Sequence, residues 1–259
     1  MWIMPGLVPT KSSTPNLTPF QVSGGGLIRQ GFQIDETIGV IISDDERYLL
    51  LGLESLRRHR DDLKEYIKEN PLFEHSYDPV EVGNVPEVVK RMSEASIQSK
   101  VGPMAAVAGV IADLAAEDMV EAGAKVAVIE NGGEIIAFSD RTLSVAVGAG
   151  TNPLSNKVGF LLDKFPIGVA TSSGRHSHAF SMGDADTVTI FAENAGLADA
   201  AATASANVVL GEPRKDVKAG VDTGMEIEGV YGVLAIRDEV VSIGGAIPKM
   251  LSVLGGESV

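Results

Sequence analysis

Two patterns alternate along the chain: short β-rich apolar runs bounded by turn residues, and longer stretches at helical spacing, two of them rich in alanine. Ile34–Leu53, IDETIGVIISDDERYLLLGL, reads as two strands around the turn Ser43-Asp44-Asp45-Glu46. Glu54–Pro71 predicts a charged helix stopped by Pro71. Its basic patch, Arg57, Arg58, His59 and Arg60, is balanced by later acids and reads as a solvated face. The loop FEHSYDPVEVGNVP then leads to a further helix from Val85. Val101–Ala124 predicts an Ala-rich helix packed against a sheet, with Pro103 suited to its start and Gly123 to its end.

Lys125–Gly150 alternates strand and turn, with Asn131-Gly132-Gly133 as the tight bend between two strands. The stretch VGFLLDKFPIGVATSSGRHSHAF brings a strand and a Gly/Ser-rich loop, and DTVTIFA is a strand leading into the helix GLADAAATASANVVLG. Asn194 is a good N-cap for that helix, and Gly211 suits the position past its end. Near the C-terminus, GVYGVLAIRDEVVSIGGA reads as a hairpin broken at Arg237-Asp238-Glu239. Strands and helices do not alternate strictly, which predicts an α+β fold with helices packed on one face of a sheet rather than a doubly wound parallel sheet. Pro5, Pro9, Pro15 and Pro19 make residues 1–26 a loosely ordered N-terminal arm, including the linker-like Gly24-Gly25-Gly26, ahead of a single α+β domain over 27–259.

Composition narrows the function classes. With 44% hydrophobic residues in 259, the chain can bury a sizeable core. A formal net charge of -14 repels phosphate backbones and anionic membranes, so no nucleic acid and no membrane are expected as partners. A nucleotide bound through a divalent cation or backbone amides is not excluded. The absence of cysteine removes disulfides, Cys-ligated zinc, iron–sulfur clusters and thiol catalysis. With no apolar run of membrane-spanning length and no uninterrupted signal core, the expected location is cytoplasmic.

No Rossmann fingerprint, Walker loop or GxSxG elbow is present. Of the four histidines, only His176 and His178 cluster, and two without a third ligand are a weak metal signal. In ATSSGRHSH, Ser172, Ser173 and the amide near Gly174 could hydrogen-bond a phosphate that Arg175 clamps; the same residues also make an ordinary polar loop. Glu130–Glu134 could bring backbone close to a ligand, although a hairpin turn needs none. In the Ala-rich helix, Asp199, Thr203 and Asn207 form one polar stripe. An isolated buried carboxylate is costly, so Asp199 is solvated, paired with a cation, or bound to a metal. The plainer alternative is an acid on a solvated face that favours the dipole of its own helix.

Taken in order, an Ala/Gly helix, a strand ending in Asn-Gly-Gly-acid-Ile, the ATSSG…SH segment, TVTIFA and LADAAATA resemble the ApbE-like flavin transferase family over roughly residues 101–211. The most specific part is Ala198–Thr203, ADAAAT. FQIDETIGVIISDDE looks closest to a prokaryotic, largely archaeal subgroup of ApbE-related proteins. The resemblance implies an ApbE-like, T-fold-like architecture of mixed or antiparallel sheets with packed helices. It implies FAD and Mg²⁺, or another divalent cation, as cofactors. It implies either FMN transfer through a phosphoester bond onto a Thr of an acceptor protein or FAD cleavage to FMN and AMP. Carried over by position, Asp199 and Thr203 hold the metal. Gly132 and Gly133 match the family's two glycines, Ser173 and Gly174 its TSG, and His178 its SH motif.

Three departures stand beside this. The family's DPRTG after the SH motif is replaced by AFSMGDAD, its Lys-Gly in the preceding helix by Ala108-Gly109, and its Asp after the two glycines by Glu134. No residue is singled out as catalytic. Three readings stay open: a metal-dependent flavin enzyme, a binding protein for a flavin or other small-molecule nucleotide that lost the chemistry, and a homo-oligomer whose Ala-rich helices form the interface.

Overall fold

The structure is a computed structural model that describes residues 26–146, 158–172, 185 and 187–252. The N-terminal arm therefore lies almost wholly outside the described residues.

The chain opens with a hairpin, β1 (Ile28–Ile34) and β2 (Thr37–Ser43), followed by α1 (Glu46–Glu69), the short α2 (Pro71–His75) and α3 (Glu87–Ser99). A 3₁₀ turn, Pro103–Ala106, runs into α4 (Val107–Glu121). Five strands follow: β3 (Val126–Asn131), β4 (Glu134–Ser139), β5 (Leu143–Ala146), β6 (Val158–Leu162) and β7 (Ile167–Ser172). Then come β8 (Thr187–Ala192), α5 (Ala195–Asn207), α6 (Pro213–Met225), β9 (Val230–Arg237), β10 (Val240–Gly245) and β11 (Lys249–Ser252).

The first two strands are not where the sequence pattern puts them. They meet at Asp35-Glu36, with Asp35 at φ 53°, and the acidic run that predicts a turn starts a helix instead. Asp45 is extended (φ −149°) and its carboxylate accepts the Arg47 N–H at 3.0 Å. An N-cap acid followed by apolar Tyr48, Leu49 and Leu53 at helical spacing decides for helix, and all three are buried. Pro71 ends α1 as expected and opens α2, because a helix start needs no N–H from its first residue. Gly123 ends the α4 region at φ 105°, its N–H donating to Val120 O at 2.9 Å. The C-terminal hairpin turns at Asp238-Glu239, with Asp238 at φ 53°.

Eight strands form one antiparallel sheet in the order β1-β2-β3-β4-β7-β8-β9-β10, and β11-β6-β5 form a second. The helices cover one face of the large sheet, and the small sheet covers the other. Alternation along β3 shows the division: Ala127 and Ile129 join the core under the helices, while Val126 and Val128 join the core between the sheets. Because both faces are covered, β3 and β8 are buried at every position, which explains why apolar residues predominate on both faces of each strand. Phe160 and Phe191 meet edge-on between the sheets, with centroids 4.8 Å apart. The result is the expected α+β class. Among the described residues, no single helix is long and apolar enough to cross a membrane.

Under the helices, α4 and α5 pack backbone to backbone. A Cβ on Gly109 would lie 2.2 Å from Ala195 O, and one on Gly196 would lie 2.4 Å from Val110 Cγ2. This close approach explains why both helices are built from Ala and Gly.

Candidate functional site

The first turn of any helix leaves backbone N–H groups without intrahelical partners. Here α4 and α5 fill each other's. Asp113, on α4, accepts the Ala195 N–H through Oδ1 and the Gly196 N–H through Oδ2, both at 2.8 Å. Asp199, on α5, accepts the Gly109 N–H through Oδ2 at 3.1 Å and also takes a hydrogen bond from the Ala108 N–H. Asn194 completes the start of α5, its Oδ1 accepting the Leu197 N–H at 2.7 Å. Asp199 therefore answers to a helix dipole, but that of α4 rather than its own, and it does so half-buried. Thr203 follows one turn later on α5 and is also half-buried.

Beside this pair sits the β3–β4 hairpin. Gly132 (φ 70°) and Gly133 (φ 116°) make its bend, and the Gly133 N–H donates to Glu130 Oε1 at 2.8 Å. Both glycines are required by the turn, and Gly132 also lines the cleft described below. Asn131 and Glu134 are cross-strand partners, so their side chains share a face. Asn131 is buried and donates through Nδ2 to Ala108 O at 2.8 Å. Its Oδ1 is buried without a hydrogen-bond partner.

Four acids in this region depart from ordinary behaviour. Burial raises Asp113 from 3.8 to about 7, against the pull of the Gly196 and Ala195 N–H groups. Burial also raises Asp199; the Gly109 N–H opposes it, and the negative charge of Asp113 adds to it. Glu134 is held well above the usual carboxylate range by burial and then by the charge of Asp199. Glu130 is raised by burial, opposed by its bond from Gly133.

A cleft of about 250 Å³ opens beside Ala108, Asn131, Gly132 and Glu134. Its body is apolar, from Phe32, Ile34, Ile38, Leu56, Val107 and Ile111. At its rim Arg60 is already engaged, ion-paired to Glu36 and Asp35 and donating to Thr37 Oγ1 at 2.8 Å. That size is below the roughly 300–1,000 Å³ usual for whole small-molecule ligands, so the described walls suit one part of a larger molecule.

The structure thus places Asp199 and Thr203 one turn apart on α5, and Gly132 and Gly133 at the bend of the β3–β4 hairpin, whose Asn131 reaches the same Ala108 that Asp199 caps. Ser173, Gly174, Arg175 and His178, together with His176, lie outside the described residues. Among the described residues no three His, Cys, Asp or Glu side chains converge on a metal position. The sequence reading missed Asp113 and Asn131, and treated Glu134 only as a departure. Asp113 carried the same signal as Asp199, a lone carboxylate among Ile, Ala and Leu in IADLAA. Asn131 carried none beyond its place in the turn.

A family model described as AbpE bacteria matches residues 32–227. A UPF0280 protein of Methanosarcina acetivorans is 39% identical over 226 residues, covering 86% of this chain and 88% of its own. One from Methanosphaerula palustris is 38% identical over 231 residues, covering 87% and 94%. Among solved structures, the flavin transferase ApbE from Vibrio cholerae aligns with a TM-score of 0.51 at 15% identity, over 84% of this chain and 96% of that one. The ApbE protein of Thermotoga maritima aligns with a TM-score of 0.52 at 15% identity, over 82% and 97%. At such identity the structural likeness speaks for the fold alone.

Proposed function

Because this chain belongs to the AbpE bacteria family, we propose that it binds a flavin nucleotide, FAD, with a divalent metal, and acts at the pyrophosphate. The metal is Mg²⁺ or a similar hard cation. In either reaction the phosphorus–oxygen bond to AMP breaks. A new one forms from the FMN phosphorus to the hydroxyl oxygen of an acceptor protein's Thr or to water, whose proton leaves.

The observation that carries this reading is the Asp199 carboxylate, held by the amides of Ala108 and Gly109, within electrostatic reach of Glu134, which lines the cleft beside Ala108. Two neighbouring carboxylates would repel a diphosphate, so a phosphate ligand here needs a cation between. The unpartnered Asn131 Oδ1 supports a hard cation, which prefers carboxylate, hydroxyl and amide oxygens. Asp199 and Thr203 are assigned to the metal. When bound, the metal would neutralise phosphate charge and stabilise charge developing at phosphorus. The chain's part is to orient. The α4 amides fix the Asp199 carboxylate, and the apolar cleft shelters a ring from water. Gly132, Gly133, Ser173, Gly174, Arg175 and His178 are assigned to nucleotide contacts.

A second reading, binding without turnover, is favoured by Ala108. Where the transferases carry Lys, this position supplies only an N–H, to Asp199, and a carbonyl, to Asn131.

The test is FAD incubated with the protein in Mg²⁺ or in chelator, with chromatography for FMN and AMP and a fluorescence titration of flavin. Metal-dependent product supports the enzyme, and binding without product supports the second reading. Neither binding nor product overturns both.

A further inference from the structure

We propose that Glu134 and Asn131, on the β3–β4 hairpin, join Asp199 in holding one hard divalent cation, so that the cation ties the hairpin to the α4–α5 pair. The inference rests on the metal-and-flavin reading above and deepens it: two elements hold the metal, where the family resemblance assigns it to α5 alone.

Three observations converge on the peptide units of Ala108 and Gly109. Asp199 takes hydrogen bonds from both N–H groups, and Asn131 Nδ2 donates to the Ala108 carbonyl. Asn131 and Glu134 line the same cleft as Ala108. Their register, Asn131↔Glu134, puts both side chains on the face toward the helices.

Asn131 is the independent indicator. Its bond to Ala108 O uses one hydrogen of the amide nitrogen and sets which end of the carboxamide faces that carbonyl. The Oδ1 left over is buried and unpartnered on a residue only 3% exposed. Buried acceptors are ordinarily satisfied, so one left open at a cleft wall that Glu134 shares points to an absent donor or cation. Carboxylate and amide oxygens are what Mg²⁺ and Mn²⁺ prefer.

The probe is Mn²⁺ added to the full chain at neutral pH, with free Mn²⁺ read by electron paramagnetic resonance, with and without FAD. Wild type should take up one Mn²⁺ per chain and melt higher with it. Glu134→Gln should bind at least about tenfold more weakly. Its metal-free form should melt no lower than wild type, because the substitution removes a buried like-charge contact. Glu134→Asp, which keeps the charge on a shorter arm, should recover part of the affinity. If Glu134→Gln binds Mn²⁺ as tightly as wild type while Asp199→Asn loses it, this inference fails and the metal reading of the function survives. If wild type takes up no Mn²⁺ under either condition, the function reading fails and takes the inference with it.

Discussion

Removing the Asp113 carboxylate tests the mutual capping of α4 and α5. Asp113→Ala leaves the Ala195 and Gly196 N–H groups, each bonded at 2.8 Å, without acceptors in the core. A buried donor left unpaired costs about 1–3 kcal/mol, so the two together cost about 2–6 kcal/mol. The variant also no longer buries a carboxylate, and here the sign depends on pH. Folding raises this carboxyl from 3.8 to about 7, so the folded chain keeps a proton that the unfolded chain gives up in between. Its contribution to stability is therefore full below pH 3.8 and is lost as pH rises through 7. The gap between wild type and Asp113→Ala should narrow by on the order of 4 kcal/mol from the acid to the alkaline side of that window. Urea unfolding of both chains, followed by far-ultraviolet circular dichroism at pH 4.5 and pH 8, measures it. A loss under about 1 kcal/mol in acid, or a gap that widens as pH rises, would refute the reasoning.

Gly109→Ala would put a Cβ 2.2 Å from Ala195 O and 2.7 Å from Gly196 N, where backbone cannot yield. Thermal melting should show a loss of about 3 kcal/mol, the upper end of overpacking costs, with α4 and α5 pushed apart. Phe191→Ala empties one side of the edge-on pair with Phe160 between the sheets. Urea melts should show about 3–5 kcal/mol lost. Gly133→Ala meets no atom within 4 Å but must hold φ 116°, so its cost is backbone strain alone. Equilibrium unfolding should report about 1–3 kcal/mol, and hydrogen exchange should quicken locally in the β3–β4 hairpin.

Elements with a strong local signal were legible in the sequence. The bend at Gly132-Gly133, the cap at Asn194 and the stops at Pro71 and Gly123 appear where turn and capping chemistry puts them. The acidic run after β2 was misread because an N-cap and a hairpin turn favour the same residues; the burial of Tyr48 and Leu49 decides between them, and burial is a tertiary fact. The small sheet had no separate signature, since β5, β6 and β11 look like any short apolar strands until they are stacked on the larger sheet.

The candidate site was legible by half, and Asp199 shows why. The question of why a carboxylate sits in an alanine helix was sound, yet composition offered only solvent, cation or metal as answers. The structure adds another, the open amides of a neighbouring helix, and that answer depends on Gly109 being small enough for α5 to reach α4. Capping and metal binding do not compete for the same role. A carboxylate held by backbone N–H groups is oriented before any ligand arrives, and it retains lone pairs for one. What capping does not explain is why Glu134 stands beside it and why Asn131 Oδ1 is left open, for neither contributes to a helix start. Asp113 supplies the contrast within the same pair of helices. Both of its oxygens are taken by N–H groups, and capping accounts for both bonds. The difference between Asp113 and Asp199 lies in the β3–β4 hairpin, whose Glu134 stands within electrostatic reach of Asp199 and whose Asn131 reaches the Ala108 that Asp199 caps.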